Sequence, residues 1–240
     1  MNKKYALIIG ASGDIGRAIA KKLAGDGYHL YLHYHQNEES IDVLMKELIS
    51  NPIKIKKIRA DLTTDEGYLV VAEEVDQIDV LVFASGVSPY GLITDIPVET
   101  VVKQVQHQLT SIYLLIQKIL PKLVAKKAGN IVFITSIWGE IGAACEVLYS
   151  MVKGGQNTLV KALSQEVAPS GIRVNAVSPG AIETKMLAEF SQEDLDLLVQ
   201  DIPLKRLGKP QEVAALVSFL LSEEARYITG KIFSINGGWL

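Results

Sequence analysis

Short apolar runs alternate with longer amphipathic stretches along the whole chain. The apolar runs, at residues 5–9, 28–34, 53–58, 80–84, 131–135, 172–177 and 232–235, have the length of buried β-strands. The stretches between them, at residues 15–24, 39–49, 98–126, 147–167, 192–200 and 210–221, have the periodicity of helices. Strands that alternate with helices form βαβ units, whose strands lie parallel in one sheet. The pattern therefore predicts an α/β fold: a doubly wound, seven-stranded parallel sheet with helices on both faces.

No linker, repeat or low-complexity segment interrupts this alternation. The chain has 240 residues, a length that α/β folds commonly reach as one unit. Hydrophobic residues make up 48% of it, enough to bury a large core. We therefore expect residues 1–240 to form a single domain.

Charge and cysteine content narrow the function classes. The net charge is -3 and the basic residues are scattered, so the sequence carries no footprint for a nucleic-acid partner. Cys145 is the only cysteine, which excludes an internal disulfide and a thiolate metal site and fits a reducing cytoplasm. The first apolar run stops at Gly10, too short for a signal peptide or a membrane span, and no later run is long enough either. We expect a cytoplasmic protein with no metal site and no membrane segment.

A glycine-rich turn follows the first predicted strand, with the sequence Gly10-Ala11-Ser12-Gly13-Asp14-Ile15-Gly16. Glycines permit a tight turn there and bring backbone N–H groups at the next helix's N-terminus close to a pyrophosphate. The alternative is a turn that needs glycine only for its dihedral angles and binds nothing. The strand before the turn and the helix after it favour the dinucleotide site of a Rossmann-type domain.

The end of the second predicted strand bears on the choice of dinucleotide. A carboxylate at this point would bond a ribose 2′-hydroxyl and reject a 2′-phosphate. The sequence instead has His33, Tyr34, His35, Gln36 and Asn37. This favours NADP(H) over NAD(H), although NAD(H) stays open because no arginine stands among these residues and they are also compatible with a solvated strand end.

A candidate proton donor lies in the predicted helix 147–167. Tyr149 and Lys153 are four residues apart, so their side chains emerge on one helix face. A neighbouring ammonium stabilises a phenolate and is expected to lower the pKa of the phenol from about 10 toward the working pH. The pair is therefore a candidate for general acid catalysis.

The spacing alone is weak, because Tyr227 and Lys231 share it. That second pair spans Gly230, just before the last predicted strand, where helical geometry is not expected. Ser136 distinguishes the first pair: it follows the fifth predicted strand, in the crevice where open α/β sheets bind ligands.

Ser136, Tyr149 and Lys153 have the spacing S-x12-Y-x3-K, and the chain resembles the short-chain dehydrogenase/reductase family over nearly its whole length. The glycine turn is similar to the family's T-G-x-x-x-G-x-G, with Ile9 in place of the threonine and Asp14 in place of the middle glycine. A carboxylate at that point would also repel a bound phosphate. The other matching motifs are Ser178-Pro179-Gly180, Arg206-Leu207-Gly208 and Asn236-Gly237-Gly238.

The resemblance implies reduction of a ketone by hydride transfer from NAD(P)H, with a homotetrameric assembly. Tyr149 is then the general acid, Ser136 hydrogen-bonds the carbonyl oxygen, and Lys153 tunes Tyr149 and holds the nicotinamide ribose. Asp61 is implied to contact adenine, with a helix cap as the alternative. The implied cofactor contacts are Gly10, Ser12, Gly13, Asp14, Ile15, Gly16, Asp61, Leu62, Gly86, Tyr149, Lys153, Pro179, Gly180, Ile182 and Thr184.

Two departures from the family pattern motivate a competing hypothesis. Gln108 stands where members have an asparagine that completes a proton relay, and the element after the fourth strand is altered to Phe83-Ala84-Ser85-Gly86. His107, next to Gln108, is expected to be a packing or interface residue. A dinucleotide-binding sensor that has lost its chemistry is the alternative function.

The resemblance also bears on the carbonyl substrate. The family's 3-oxoacyl-[acyl-carrier-protein] reductases share the chain's length and motif order, but their two carrier-docking arginines align with Lys127 and Ser170, so one basic contact is lost. A narrower resemblance is to reductases of an aminopentanone group on a modified lysine of elongation factor P. There Trp138 and Glu146 would offer an aromatic wall and a carboxylate to an amine-bearing chain, unless they are simply core and solvated residues.

Overall fold

The computed structural model describes residues 4–188 and 190–239. In these residues seven parallel strands form one sheet in the order β3-β2-β1-β4-β5-β6-β7. The predicted α/β class and the seven-stranded parallel sheet are confirmed. The strands are β1 (Tyr5–Ile9), β2 (His29–Tyr34), β3 (Ile55–Arg59), β4 (Val80–Phe83), β5 (Gly129–Ile134), β6 (Ile172–Pro179) and β7 (Ile232–Ile235).

The described helices include every one that the periodicity predicted. Two short ones, α3 and α6, were missed because seven and four residues are too few to show a helical period. The helices are α1 (Asp14–Gly25), α2 (Glu38–Glu47), α3 (Gly67–Glu73), α4 (Val98–Val105), α5 (Ser111–Lys126), α6 (Trp138–Ile141), α7 (Val147–Val167), α8 (Gln192–Asp201) and α9 (Pro210–Leu221).

The predicted helix 98–126 is divided by a π-helical turn. Residues Gln106–Thr110 have i→i+5 geometry between α4 and α5. Such turns are rare and often lie at functional sites. This one carries Gln108, whose side chain is fully buried.

Apolar side chains cover both faces of the sheet. Alternate residues of β1 point to opposite sides: Ala6 and Ile8 pack with α1, α2 and α9, whereas Leu7 and Ile9 pack with α3, α5 and α7. Helices on both faces follow from this alternation. Because all strands are parallel, their carboxyl ends meet at one edge of the sheet, and the chemistry-bearing residues lie there.

None of the helices in residues 4–188 and 190–239 is both long and apolar enough to cross a membrane. Over the same ranges, no three His, Cys, Asp or Glu side chains come together as a metal site.

Candidate active site

The glycine turn packs tightly between β1, α1 and the end of β4. Gly10 has φ +83°, and a Cβ on it would lie 2.6 Å from the backbone of Ser85. A Cβ on Gly16 would lie 2.2 Å from the carbonyl oxygen of Gly10. Gly13 precedes α1 without a side-chain cap, so the positive end of this helix faces the turn. This arrangement suits the pyrophosphate of a dinucleotide.

Asp14, the residue in place of the family's middle glycine, has a specific partner. Its Oδ2 accepts the backbone N–H of Lys185 at 2.7 Å. Lys185 begins a 3-10 turn, Lys185–Leu187, in the segment that follows β6. The carboxylate therefore ties the glycine turn to that segment, a contact that spans 171 positions in the sequence.

Three of the five residues at positions 33–37, at the end of β2, are buried or make hydrogen bonds within the protein. His33 is buried; its Nδ1 accepts the N–H of Gly10 at 3.2 Å, and its Nε2 lies 3.2 Å from the carbonyl oxygen of Ala60. Burial lowers the pKa of His33 to about 4, which keeps the ring neutral. Tyr34 is also buried, and Asn37 caps α2 by accepting the N–H of Ser40 at 3.0 Å. These three residues are thus neither a solvated strand end nor free ribose contacts.

Asp61 lies in a turn instead of at a helix cap. Its Oδ1 accepts the N–H and the hydroxyl of Thr63 at 2.9 and 2.8 Å. Although burial acts to raise the pKa of Asp61, these hydrogen bonds hold it below its usual value. Asp61 lines a groove of about 370 Å³ together with His35 and Arg59. The side chain of Leu62 packs into the core beneath.

Sequence reasoning missed Arg17, which α1 brings to the end of β2. Its Nη1 donates to Ser40 Oγ at 3.2 Å, and this hydroxyl donates to the carbonyl oxygen of Ser12 at 3.0 Å. The strand end therefore has an arginine beside it after all. No local signal near residues 33–37 could have shown this.

The structure brings Ser136, Tyr149 and Lys153 together at the carboxyl end of β5. Ser136 follows β5 and its Oγ accepts the N–H of Trp138 at 3.2 Å. Ser136 lies close enough to Tyr149 for its hydroxyl to lower the pKa of the phenol. Lys153 lies one turn further along α7, with its Nζ 5.7 Å from the centre of the Tyr149 ring. All three side chains are buried.

The electrostatics of the pair differ from the sequence-based expectation. Burial raises the pKa of Tyr149 to about 12; the Ser136 hydroxyl opposes this rise and Glu146 adds to it. Burial also lowers the pKa of Lys153 to about 7, so this amine is only partly charged near neutral pH. Its Nζ donates to the carbonyl oxygen of Ile134 at 2.9 Å and to Gln156 Oε1 at 3.3 Å. The predicted lowering of the phenol pKa was wrong for this arrangement, because burial has the largest effect on Tyr149 and also shifts Lys153 toward its uncharged form.

The second tyrosine–lysine pair has no such setting. Tyr227 is fully exposed. Gly230 has φ +72°, and no helix connects Tyr227 to Lys231. The equal spacing is therefore coincidental.

The remaining predicted cofactor residues follow the carboxyl ends of β4 and β6. A Cβ on Gly86 would lie 3.4 Å from Lys153 Nζ, so this position borders the amine closely. Gly180 donates its N–H to Ile235 at 3.0 Å, and the Thr184 hydroxyl donates to the carbonyl oxygen of Ile182 at 3.2 Å. The segment after β6 thus lies at the same edge of the sheet as Ser136.

Two loops and two tryptophans make contacts near Ser136 and the start of α7. Ser88 Oγ donates to Glu146 Oε1, and the N–H of Gly91 donates to Cys145 at 2.8 Å. Trp138 is half-buried and packs edge-on against Trp239, with ring centroids 5.2 Å apart. Trp138 thus follows Ser136 at the end of β5, and Glu146 immediately precedes α7.

Comparisons with known proteins agree with this architecture. Residues 10–240 match the family model described as "Enoyl-(Acyl carrier protein) reductase". The chain is 47% identical over 238 residues to a protein of Bacillus subtilis (strain 168) named "Uncharacterized oxidoreductase YmfI", covering 98% of each. It is 34% identical over 242 residues to the 3-oxoacyl-[acyl-carrier-protein] reductase FabG of Staphylococcus epidermidis (strain RP62A), covering 99% of each.

A solved structure is also similar. The crystal structure of YwfH, described as an NADPH dependent reductase involved in bacilysin biosynthesis, superposes with a TM-score of 0.93 at 25% identity. The match covers 100% of this chain and 99% of YwfH. The chain therefore belongs to the short-chain dehydrogenase/reductase family of oxidoreductases.

Proposed function

We propose that this chain reduces a ketone to an alcohol with NADPH and that Tyr149 is the general acid. The observation that carries the proposal is the buried cluster of Ser136, Tyr149 and Lys153, at the sheet edge that also holds the glycine turn. When bound, the nicotinamide supplies the hydride to the carbonyl carbon. Tyr149 then donates its proton to the carbonyl oxygen, and Ser136 hydrogen-bonds the same oxygen.

The raised pKa of Tyr149 suits this role. A phenol with a pKa of about 12 is fully protonated near neutral pH, so the donor is loaded before each turnover. An alkoxide is a stronger base than a phenolate, so proton transfer to the product stays favourable. In the oxidative direction Tyr149 is the base.

NADP(H) is the proposed cofactor, with NAD(H) as the alternative. Arg17, which bonds Ser40 and Glu47, and Arg59, in the neighbouring groove, place guanidinium groups near the β2 end. A ribose 2′-phosphate is recognised by such charge-assisted hydrogen bonds. The description of YwfH as NADPH dependent supports the same choice.

Two carbonyl substrates are proposed. The relative named 3-oxoacyl-[acyl-carrier-protein] reductase supports a 3-oxoacyl thioester. Glu146, just before α7, and the Trp138–Trp239 pair support the aminopentanone-modified lysine of elongation factor P, since a carboxylate and aromatic faces both attract an ammonium group. Lys127 and Ser170 lie just before β5 and β6, at the opposite end of the sheet from Ser136, and only Lys127 is basic.

A substrate panel tests the proposal. Purified protein with NADPH is given acetoacetyl coenzyme A, an acetoacetyl carrier protein, a simple ketone and 5-amino-2-pentanone, and NADPH consumption is followed. Glu146→Gln should lower the rate with the amine-bearing ketone by about tenfold and leave the thioesters nearly unchanged. NADPH binding without turnover on any ketone would favour the sensor hypothesis.

The assembly and location complete the proposal. We expect a homotetramer, because several apolar side chains of α4, α5 and α7 are exposed on the single chain. Light scattering measures the mass in solution, and a monomer would contradict this expectation. These side chains are Val98, Val102, Tyr113, Val124 and Met151. We expect a cytoplasmic location because a single cysteine fits a reducing compartment.

A further inference from the structure

A chain of buried side-chain amides leads from Lys153 to the π-helical turn. Lys153 Nζ donates to Gln156 Oε1 at 3.3 Å, and Gln156 Nε2 lies 3.0 Å from Gln108 Oε1 and 2.9 Å from the Gln108 carbonyl oxygen. Gln108 Nε2 lies 3.2 Å from His107 Nδ1, and His107 Nε2 lies 3.2 Å from Ser85 Oγ. Both glutamines are at least 99% buried.

The geometry fixes which group donates and which accepts at each step of this hydrogen-bonded series. The Gln156 Nε2 group faces two oxygens of Gln108, so its Oε1 must face Lys153. Gln108 uses its own Oε1 as the acceptor, so its Nε2 donates to His107 Nδ1. His107 must then hold its proton on Nε2 and donate it to Ser85. Reversal of any amide would place like groups in contact.

We propose that Gln156 and Gln108 are positioning residues for Lys153, and that this amide pair aims the Lys153 amine and sets the pH at which it loses its proton. An ammonium has three donors, and burial removes the water that would satisfy them. The backbone of Ile134 accepts one and Gln156 accepts a second, which leaves one donor for the space between Gly86 and Tyr149. The kinetic consequence rests on the proposed function, whereas the titration of Lys153 does not.

Few titratable groups lie beside the hydrogen-bonded series from Lys153 to His107 in the described part of the protein. Tyr149 and Lys153 belong to α7, and His107 belongs to the π-helical turn. Burial and the charge of Lys153 lower the pKa of His107 to about 4, so its ring is neutral through the physiological range. Asp61 raises the pKa of His107 and His35 lowers it, while Glu146 raises the pKa of Tyr149.

The first test is an NMR titration of the protein without cofactor. In protein labelled with 13C-lysine, the Cε signal of Lys153 is assigned by its loss in Lys153→Met and followed with pH. Gln156→Met removes the acceptor at similar length and should lower the pKa of Lys153 by about one unit. Asn157→Leu is the matched control: Asn157 is the next residue of α7, is buried, and has no side-chain hydrogen-bond partner within the described part of the chain.

The second test separates positioning from packing. The double variant Gln108→Leu/Gln156→Leu replaces both partners with apolar groups and should recover thermal stability relative to either single variant. If the amide pair positions Lys153, the pKa of Lys153 in the double variant should stay below the wild-type value. The alkaline limb of the kcat profile should move to lower pH by a similar amount, and KM for NADPH should change less than kcat. If the pair serves only packing, Lys153 in the double variant should titrate at the same pH as in the wild-type protein.

Each outcome decides the proposal. An unchanged Lys153 pKa in Gln156→Met, an equal shift in Asn157→Leu, or a His107 ring protonated on Nδ1 by 15N NMR would overturn it. If Tyr149→Phe loses turnover but Gln156→Met leaves the pKa of Lys153 at the wild-type value, the proposed function is supported and the positioning role is not. If no ketone is reduced, the cofactor-free titration still decides whether the amide pair positions Lys153.

Discussion

Lys153 Nζ lies 5.7 Å from the centre of the Tyr149 ring. Burial favours the neutral form of both groups: it raises the pKa of the phenol to about 12 and lowers the pKa of the amine to about 7. Near neutral pH the phenol holds its proton, while the amine titrates in the working range. The protonation state of the site is therefore governed by Lys153, and the proton to be transferred resides on Tyr149.

Tyr149→Phe removes the proposed acid and keeps the ring. We expect kcat to fall by about 10³-fold, within the range that general acids contribute, and the Kd for NADPH to stay within about twofold. Stopped-flow turnover and NADPH fluorescence titration measure the two quantities. Tyr227→Phe, in the exposed pair with the same spacing to a lysine, should behave as wild type. A variant Tyr149→Phe with an unchanged rate would remove Tyr149 from the mechanism.

Lys153→Met should change how stability depends on pH. Between pH 7 and 10.5 the unfolded chain holds a proton on Lys153 that the folded chain has lost, so the wild-type free energy of unfolding gains from rising pH in this window. Lys153→Met removes this gain, which amounts to at most about 1.4 kcal/mol per pH unit. Urea unfolding at pH 7 and pH 9 measures the difference. Lys161→Met, at an exposed position of α7, should leave the slope unchanged, and equal slopes for Lys153→Met and wild type would contradict the lowered pKa.

Arg17→Ala tests the cofactor choice. Loss of the guanidinium near Ser40 should raise KM for NADPH by about tenfold and leave KM for NADH nearly unchanged, since only NADPH carries the 2′-phosphate. Initial rates with both cofactors check this. Lys22→Ala is the control, because Lys22 is also a paired cation of α1 but bonds Asp26 at the end of its own helix, whereas Arg17 bonds Ser40 and Glu47 of α2. Equal losses with both cofactors would show that Arg17 acts on packing instead.

Asp14→Ala should release the segment after β6. The N–H of Lys185 loses its acceptor, so hydrogen exchange at this amide should accelerate by about fivefold to tenfold. Asp14→Asn keeps an acceptor oxygen and removes the charge; we expect slow exchange and tighter NADPH binding, because the carboxylate near the helix N-terminus repels phosphate. Exchange that is equally slow in Asp14→Ala would show that other contacts hold the segment.

Local patterns were sufficient for much of this protein. Hydrophobic alternation and helical periodicity predicted the seven strands and the longer helices, since both report on the nearest neighbours of each residue. The same periodicity placed Tyr149 and Lys153 on one face of α7, and parallel strands placed Ser136 at the binding edge. The strands, the longer helices and the placement of these three residues follow from hydrophobic pattern and residue spacing, which the sequence contains directly.

The tertiary structure alone decided the pairings between distant segments and the charges they produce. Gln156 meets Gln108 across 48 positions, Asp14 meets Lys185 across 171, and α1 carries Arg17 to the end of β2. The directions of the two pKa shifts in the catalytic pair depend on how much water the packed helices exclude. Desolvation and long-range hydrogen bonds are properties of the packed chain, so no window of sequence contains them.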